Sequence, residues 1–375
     1  MHKRQKYADL YIGLMSGTSL DAIDAALVNL PPDGSPQLIQ AINQTIPPAL
    51  RHEITQLCQP GDDEINRLGT VDRQIAMLFV EAVERLLELG DCPVHQIHAI
   101  GCHGQTIRHH PNRKHPFSLQ IGDPNTLAFR TGIVTVADFR RMDIAANGQG
   151  APLVPAFHAA TLLDAQENRV VANIGGMANI TLLATGRQVI GFDTGPGNIL
   201  MDAWIQHCLM EQWDNNGNWA ASGQLSPTLL AKLLSHPYLT LPAPKSTGRE
   251  IFHFAWLKEQ LAELGAINPV DVQRTLLEFT ARSIVIGIQE LACPVQRLLL
   301  CGGGAHNQAL QNCLTTLLPS VAVSDTSAFG IDPDWMEAMA FAWLAKQRLE
   351  AKSGNLPSVT GASRPCILGG VYQPF

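Results

Sequence analysis

Short apolar runs that end in small-residue turns recur along this chain. Tyr11 to Leu14 and Ala25 to Val28 flank the run Met15-Ser16-Gly17-Thr18-Ser19 and read as two strands. Between Ile65 and Leu89 the period changes: Leu68, Val71, Ile75, Leu78, Val83 and Leu86 fall near the spacing of one helix face. A strand follows at His98 to Gly101, and His103-Gly104-Gln105-Thr106 reads as a polar loop after it. Gly132 to Ala137 is again strand-like, whereas Asp138 to Pro155 is rich in Gly, Arg and Asp and reads as a long functional loop. Arg169 to Ile174 runs into Gly175-Gly176, with a further apolar run at Ile180 to Leu183. Val295 to Leu300 runs into Cys301-Gly302-Gly303-Gly304, and Trp335 to Arg348 reads as a helix.

The alternation of strands and helices predicts an α/β protein. A strand that runs out into glycines exposes successive backbone N–H groups and lets phosphate oxygens approach them. One such turn serves chain reversal as readily as binding. Three of them, at 12–19, 171–178 and 297–305, point to two facing domains that close on one nucleotide. Phosphoryl transfer is the chemistry such a site performs, mostly by positioning and charge neutralisation. The first turn lacks G-x-x-x-x-G-K-[ST], so it is not a Walker-type phosphate loop.

Composition narrows the partners. A length of 375 residues predicts two domains, and 46% hydrophobic against 16% charged residues predicts well-packed ones. The net charge of −7 and the lack of a long basic run disfavour nucleic acid and anionic membranes, leaving a small molecule as the expected partner. No 7–15-residue apolar stretch follows the basic start, and no run approaches the roughly 20 apolar residues of a membrane span. The eight cysteines lack C-x-x-C spacing, as expected of reduced thiols in a cytoplasmic protein.

Several longer motifs then appear in order: GLMSGTSLDAID at 13–24, AIGCHGQTIRH at 99–109, ADFRRMDIAANGQGAPLVPAFH at 137–158, NIGGMANIT at 173–181, GFDTGPGNILMDAW at 191–204, APKSTGRE at 243–250, CGGGAHN at 301–307 and LPSVTGA at 356–362. From about residue 10 onward the chain closely resembles the anhydro-N-acetylmuramic acid kinase family, part of the sugar kinase, heat-shock ATPase and actin superfamily. The resemblance implies two ribonuclease-H-like domains with ATP in the cleft between them. The expected division is 1–131 plus about 350–375 for the first domain and 132–349 for the second. It implies a cytoplasmic enzyme of peptidoglycan recycling, acting with ATP and Mg2+. Such an enzyme phosphorylates the 6-oxygen of 1,6-anhydro-N-acetylmuramic acid and hydrolyses the anhydro bond, giving N-acetylmuramic acid 6-phosphate. Ala22 stands where the family loop usually has Gly, and Met142 where a third Arg is common. Oligomeric state is left open, a homodimer included.

The resemblance places the catalytic aspartate at Asp193, where a carboxylate would accept a proton from the attacking water. Glu337 is the second catalytic candidate, either orienting a metal-bound water or simply favouring a helix N-terminus. The nucleotide is expected on Gly17, Thr18, Ser19, Leu20, Asp21, Ala22, Ile23 and Asp24, on Gly175 and Gly176, and on Gly302, Gly303, Gly304 and Asn307. Asp21 and Asp24 are divided between magnesium-water contacts and turn formation, and the direct metal ligands stay unassigned. His103, Gln105, Arg140 and Asn198 are the expected sugar contacts. Arg140 and Arg141 share with Lys245 and Arg249 the role of meeting the lactyl carboxylate. Two alternatives stay open: a kinase of another anhydrosugar such as levoglucosan, and a nucleotide-switched binding protein.

Overall fold

The computed structural model describes residues 9–17, 20–32, 34–243, 245–248 and 251–375. In chain order its strands are β1 (Leu10–Ser16), β2 (Ala22–Asn29), β3 (Gln37–Thr45), β4 (Ile97–His110), β5 (Phe117–Ile121), β6 (Thr135–Ala137), β7 (Arg169–Ile174), β8 (Met177–Leu183), β9 (Ile190–Pro196), β10 (Arg297–Cys301), β11 (Ala322–Asp325) and β12 (Gly370–Tyr372). They divide between two units, one comprising the chain up to Phe157 with Gly330–Phe375, the other His158–Phe329.

In the first unit the sheet order is β12-β6-β4-β1-β2-β3, with β5 added to β4. Neighbours among β1, β2 and β3 are antiparallel, whereas β4 runs parallel to β1 and β6 parallel to β4. The second unit repeats the pattern as β11-β10-β7-β8-β9. There β7, β8 and β9 are antiparallel neighbours, and β10 is parallel to both β7 and β11. An antiparallel meander followed by parallel crossovers is the ribonuclease-H-like arrangement implied by the resemblance. Parallel neighbours need long connections. In the first unit the helices Pro48–Leu57 and Glu64–Leu89 lie between β3 and β4; in the second, Gln308–Leu317 lies between β10 and β11.

The periodic stretch near residue 65 forms the helix Glu64–Leu89, which buries Val71, Ile75, Leu78, Phe79, Val83 and Leu86 on one face. Ile65, the first apolar residue of that stretch, is 84% exposed. Each unit has its own core, built around Ile12, Leu14, Phe79 and Ile100 in the first and Ile180, Phe192, Phe252 and Phe279 in the second.

Three expectations are revised. The polar run His103 to Thr106 belongs to β4, whose Gln105 opposes Ile121 of β5. Its side chains are polar, but His103 and Gln105 are buried, so hydrophobic patterning reads it as a loop. The segment 138–155 contains the helix Arg141–Ala145, and another helix begins at Val154. Residues 132–157 and 330–349 lie in the first unit rather than the second, because β6 pairs with β4 and the helix Met336–Leu349 packs on β1 and β4.

That last packing is unusually close. Gly13 and Gly101 are register partners on β1 and β4. A Cβ on Gly13 would overlap the Ala338 carbonyl oxygen, and one on Gly101 the Phe341 carbonyl oxygen. Only glycine at both positions lets the helix backbone rest on the strands, and this seat fixes where the helix begins.

Candidate active site

In the first unit, candidate residues gather at the ends of β1 and β4 and the start of Met336–Leu349. Thr18 and Ser19 of the turn lie outside the described residues. After Gly17, Leu20 adopts φ 60° with its side chain buried, and its N–H meets the Gly17 carbonyl oxygen at 3.3 Å. Asp21 is exposed and paired with Arg51 at 3.3 Å. Ala22, Ile23 and Asp24 are already within β2, opposite Thr45, Gln44 and Asn43 of β3. Asp24 Oδ1 accepts a hydrogen bond from Asn43 Nδ2 at 2.6 Å. Burial pushes the Asp24 carboxyl up to about 6, the charges of Glu337 and Asp334 add to this, and the Asn43 bond opposes it.

Glu337 is the second residue of the helix Met336–Leu349. Burial raises its pKa and the nearby Arg140 cation opposes the rise. Arg140 donates from Nε at 3.0 Å and Nη2 at 2.8 Å to His103 Nε2, and from Nη1 to the Gly150 carbonyl oxygen at 2.8 Å. A guanidinium has no acceptor, so His103 Nε2 must carry the lone pair. His103 Nδ1 then carries the proton and donates to the Gly104 carbonyl oxygen at 2.8 Å. Burial, reinforced by the Arg140 charge, pushes His103 well below the usual imidazole range, which keeps the ring neutral. Burial lowers Arg140 to about 10, against the opposing pull of Glu337 and Asp143, and it stays a cation at neutral pH.

Gln105 is buried, accepts from Ser16 Oγ at 2.6 Å and donates to the Thr106 carbonyl oxygen at 3.0 Å. It holds the end of β1 against β4. Arg141 pairs with Asp138 at 2.7 Å on the surface, apart from the Arg140–His103 pair. The helix seat thus gathers the Asp24 and Glu337 carboxyls, the Arg140 cation and the neutral His103 ring into one polar group, while Asp21 stays outside it.

The second unit carries its own group of candidate residues. Asp193 sits within β9, opposite Asn179, and its Oδ2 accepts from the Thr247 N–H at 2.9 Å. Its backbone is tied on both sides, its N–H to the Lys245 carbonyl oxygen at 3.0 Å and its carbonyl oxygen to Tyr238 Oη at 2.7 Å. Lys245 Nζ donates to the Leu239 carbonyl oxygen at 3.0 Å, lies 3.5 Å from Glu290 and is packed over Phe192 and Tyr238. Its charge is engaged within this unit. Arg249 lies outside the described residues.

The Gly175-Gly176 turn receives the N-terminus of the helix Ile199–Leu209. Asn198 N–H meets the Gly175 carbonyl oxygen at 2.8 Å, and Gly197 N–H meets that of Gly176 at 2.9 Å. A Cβ on Gly176 would meet nothing within 4 Å, so no protein packing demands glycine there. The three late glycines differ from one another. Gly302 has φ 76° and would press a Cβ into Asn173, Gly304 would press one into Ile174, and Gly303 faces nearly open space.

Gly303, Asn307, Asn198, Asp202, Trp213 and Asp214 line much of a pocket of about 440 Å3. Asn307 Oδ1 also caps the helix Gln308–Leu317 through the Leu310 N–H at 3.0 Å. Asn198, expected at the sugar, is thus grouped with the glycine-rich turn. Asp202, Trp213 and Asp214 were not singled out in the sequence. The available signals were the four-residue helical spacing from Asn198 to Asp202 and a tryptophan beside the polar run Asp214-Asn215-Asn216. Trp213 is 62% exposed. Burial, then the neighbouring Asp214 charge, raises the Asp202 carboxyl to about 7.

A family profile described as anhydro-N-acetylmuramic acid kinase matches residues 9–374. Proteins named anhydro-N-acetylmuramic acid kinase in Shewanella oneidensis and Shewanella putrefaciens are 54% and 53% identical to this chain, each over 97% of it and 98% of the relative. The protein of that name in Shewanella pealeana is 52% identical over 96% of this chain and 98% of its own. Matched from near its start to near its end, with relatives identical at more than half of the aligned positions, the chain belongs to the anhydro-N-acetylmuramic acid kinase family.

Proposed function

We propose that the protein is an ATP-dependent kinase of 1,6-anhydro-N-acetylmuramic acid that opens the anhydro ring as it phosphorylates the 6-oxygen. The observation that most supports this reading is the family match over residues 9–374. Asp193 is the general base. It takes a proton from water, the water oxygen bonds to the anomeric carbon, and the bond from that carbon to the 6-oxygen breaks. The freed 6-oxygen bonds to the γ-phosphorus, and ADP leaves. A base must be oriented as well as basic. The strand position of Asp193 and the Thr247 N–H on Oδ2 support that role.

On the first unit, Arg140 and neutral His103 are the sugar contacts, Arg140 supplying a cation for the lactyl carboxylate. With Lys245 engaged by Glu290 and Leu239, Arg140 is the preferred partner for that group. On the second unit, the glycine turns take the phosphates and the pocket beside Gly303 takes the nucleoside. Magnesium fits the first unit through Asp24 and Glu337. Among the described residues no three His, Cys, Asp or Glu are arranged to hold a metal by themselves. Magnesium commonly keeps several waters and takes one or two carboxylates besides phosphate oxygens. Two carboxyls, one of them raised in pKa by burial and by the charge of the other, suit a hydrated cation. When bound, the ion neutralises phosphate charge.

A cytoplasmic location accords with eight cysteines that are all free. Among the described residues no helix is long and apolar enough to cross a membrane. The test is a coupled ADP-release assay with purified protein, ATP, magnesium and the anhydro sugar, with the product identified by mass. Formation of N-acetylmuramic acid 6-phosphate is expected. Absence of turnover on this sugar, with turnover on levoglucosan, would replace the substrate assignment.

A further inference from the structure

Asp143 is fully buried, and three neutral groups donate to its carboxylate. Oδ1 accepts from Asn355 Nδ2 at 2.5 Å and Thr360 Oγ1 at 2.7 Å, and Oδ2 accepts from the Gly150 N–H at 2.7 Å. Thr360 belongs to the late run LPSVTGA, for which no role has emerged so far. The same two segments are tied twice more, by Gln149 N–H to the Thr360 carbonyl oxygen at 2.8 Å and by Ser363 N–H to the Ala146 carbonyl oxygen at 2.7 Å. A Cβ on Gly148 would run into Asp143 Oδ2, so the loop wraps closely around this carboxylate.

The peptide groups on either side of Gly150 carry this order outward. Its N–H is held by Asp143, and its carbonyl oxygen accepts from Arg140 Nη1 at 2.8 Å. The guanidinium Nε and Nη2 hold His103 Nε2, which leaves one N–H on Nη1 and one on Nη2 for a sugar carboxylate. A continuous path therefore runs from Asn355 and Thr360 through Asp143 and Gly150 to Arg140 and His103. A buried carboxylate with three donors is a rigid anchor, because losing any bond leaves a charged oxygen or a buried donor unsatisfied.

We propose that Asp143 is a positioning residue for sugar recognition, fixing the Arg140 guanidinium, and through it His103, in the orientation that meets a carboxylate-bearing sugar. This rests on reading Arg140 and His103 as sugar contacts. It gives the LPSVTGA run a role: Thr360, with Asn355 just before the run, completes the shell that holds Asp143.

Steady-state kinetics on the full chain test it with Asp143→Asn, Thr360→Val, Thr360→Ser, Arg140→Lys and the double variants with Arg140→Lys. Asp143→Asn should raise KM for the anhydro sugar by about tenfold or more while KM for ATP stays within about twofold. Thr360→Val should move the same way by less, and Thr360→Ser, which keeps the donor, should match wild type. In the double variants the second change should add little, because both act through one path. A folded Asp143→Asn variant with unchanged sugar KM, sugar and ATP KM values rising together, or fully multiplicative double variants would each overturn the proposal. If Asp143→Asn does not fold, Thr360→Val alone and combined with Arg140→Lys decides by the same criteria. If Arg140→Lys leaves sugar KM unchanged, the reading of Arg140 itself fails, and the proposal fails with it.

Discussion

The two units share a strand order yet differ in what they place at the ends of their central strands. In the first, the glycines sit on the strands: Gly13 and Gly101 admit a helix backbone, and the helix brings Glu337 toward Asp24 and Arg140. In the second, the helix Pro269–Gln289 carries a close-packed glycine of its own: a Cβ on Gly287 would lie 2.6 Å from Thr194 Cγ2 of β9. There Gly176 and Gly303 face open or nearly open space, Asp193 lies on β9, and Asp202 and Asp214 line the pocket beside Gly303. One unit offers charged side chains already engaged with one another. The other offers backbone and the Asp193 carboxylate, proposed above as the base. Sheets of the same strand order thus carry differently furnished ends.

Removing the base should give the largest effect. Asp193→Asn is expected to lower kcat by the 10²–10⁴ typical of a lost general base while circular dichroism and ADP affinity stay near wild type. Retention of more than about a tenth of wild-type turnover would take Asp193 out of the mechanism.

The contrast between glycines comes next. Gly13→Ala forces the helix from its seat, so it should destabilise the first unit by about 1–3 kcal/mol or more, as overpacking does, and lower kcat by displacing Glu337. Gly176→Ala meets open space and should leave thermal unfolding unchanged, while raising KM for ATP severalfold if phosphate approaches that backbone. Calorimetric unfolding and nucleotide titration of both variants check this. Equal destabilisation by the two substitutions would erase the distinction drawn between the units.

How much of this was legible in the sequence follows from the same contrast. The helix Glu64–Leu89 was close to its expected place because its apolar face is periodic, and β1, β7 and β10 were close to theirs because each is a short apolar run that ends in small residues; Met336–Leu349 also lies where a helix was expected. The continuation of β4 through His103 and Gln105 was not, because those polar residues are buried by partners remote in sequence, Arg140 and Ser16. The unit boundary was misplaced for a similar reason: β6 and the late helix join the first sheet through pairings that no local pattern records. The candidate residues were found through motifs. Their surroundings were not, and Thr247 on Asp193, Asp143 behind Arg140 and Asp202 beside Asp214 emerge only from the fold.

The smallest effect concerns pH and the second unit. Asp202 titrates near 7 in the folded protein against 3.8 as an ordinary aspartate. Between those values the folded unit keeps a proton that the unfolded chain has released, so stability from this group falls as pH rises toward 7 and stays low above it. Asp202→Asn should therefore raise the unfolding midpoint by a few degrees at pH 8, about 2–4 °C for each kcal/mol relieved, and by less at pH 5. A gain independent of pH would show that burial of the charge is not the cause.

In the mechanism proposed above, one reaction opens the ring and phosphorylates the sugar, with Asp193 acting on water rather than on a sugar hydroxyl. Turnover in oxygen-18 water, followed by mass analysis before the anomeric oxygen exchanges with solvent, tests this directly. One solvent oxygen is expected on the anomeric carbon, none in the transferred phosphoryl group, and no phosphorylated sugar with its anhydro ring closed. Label in the phosphate, or a closed-ring phosphorylated product, would contradict it.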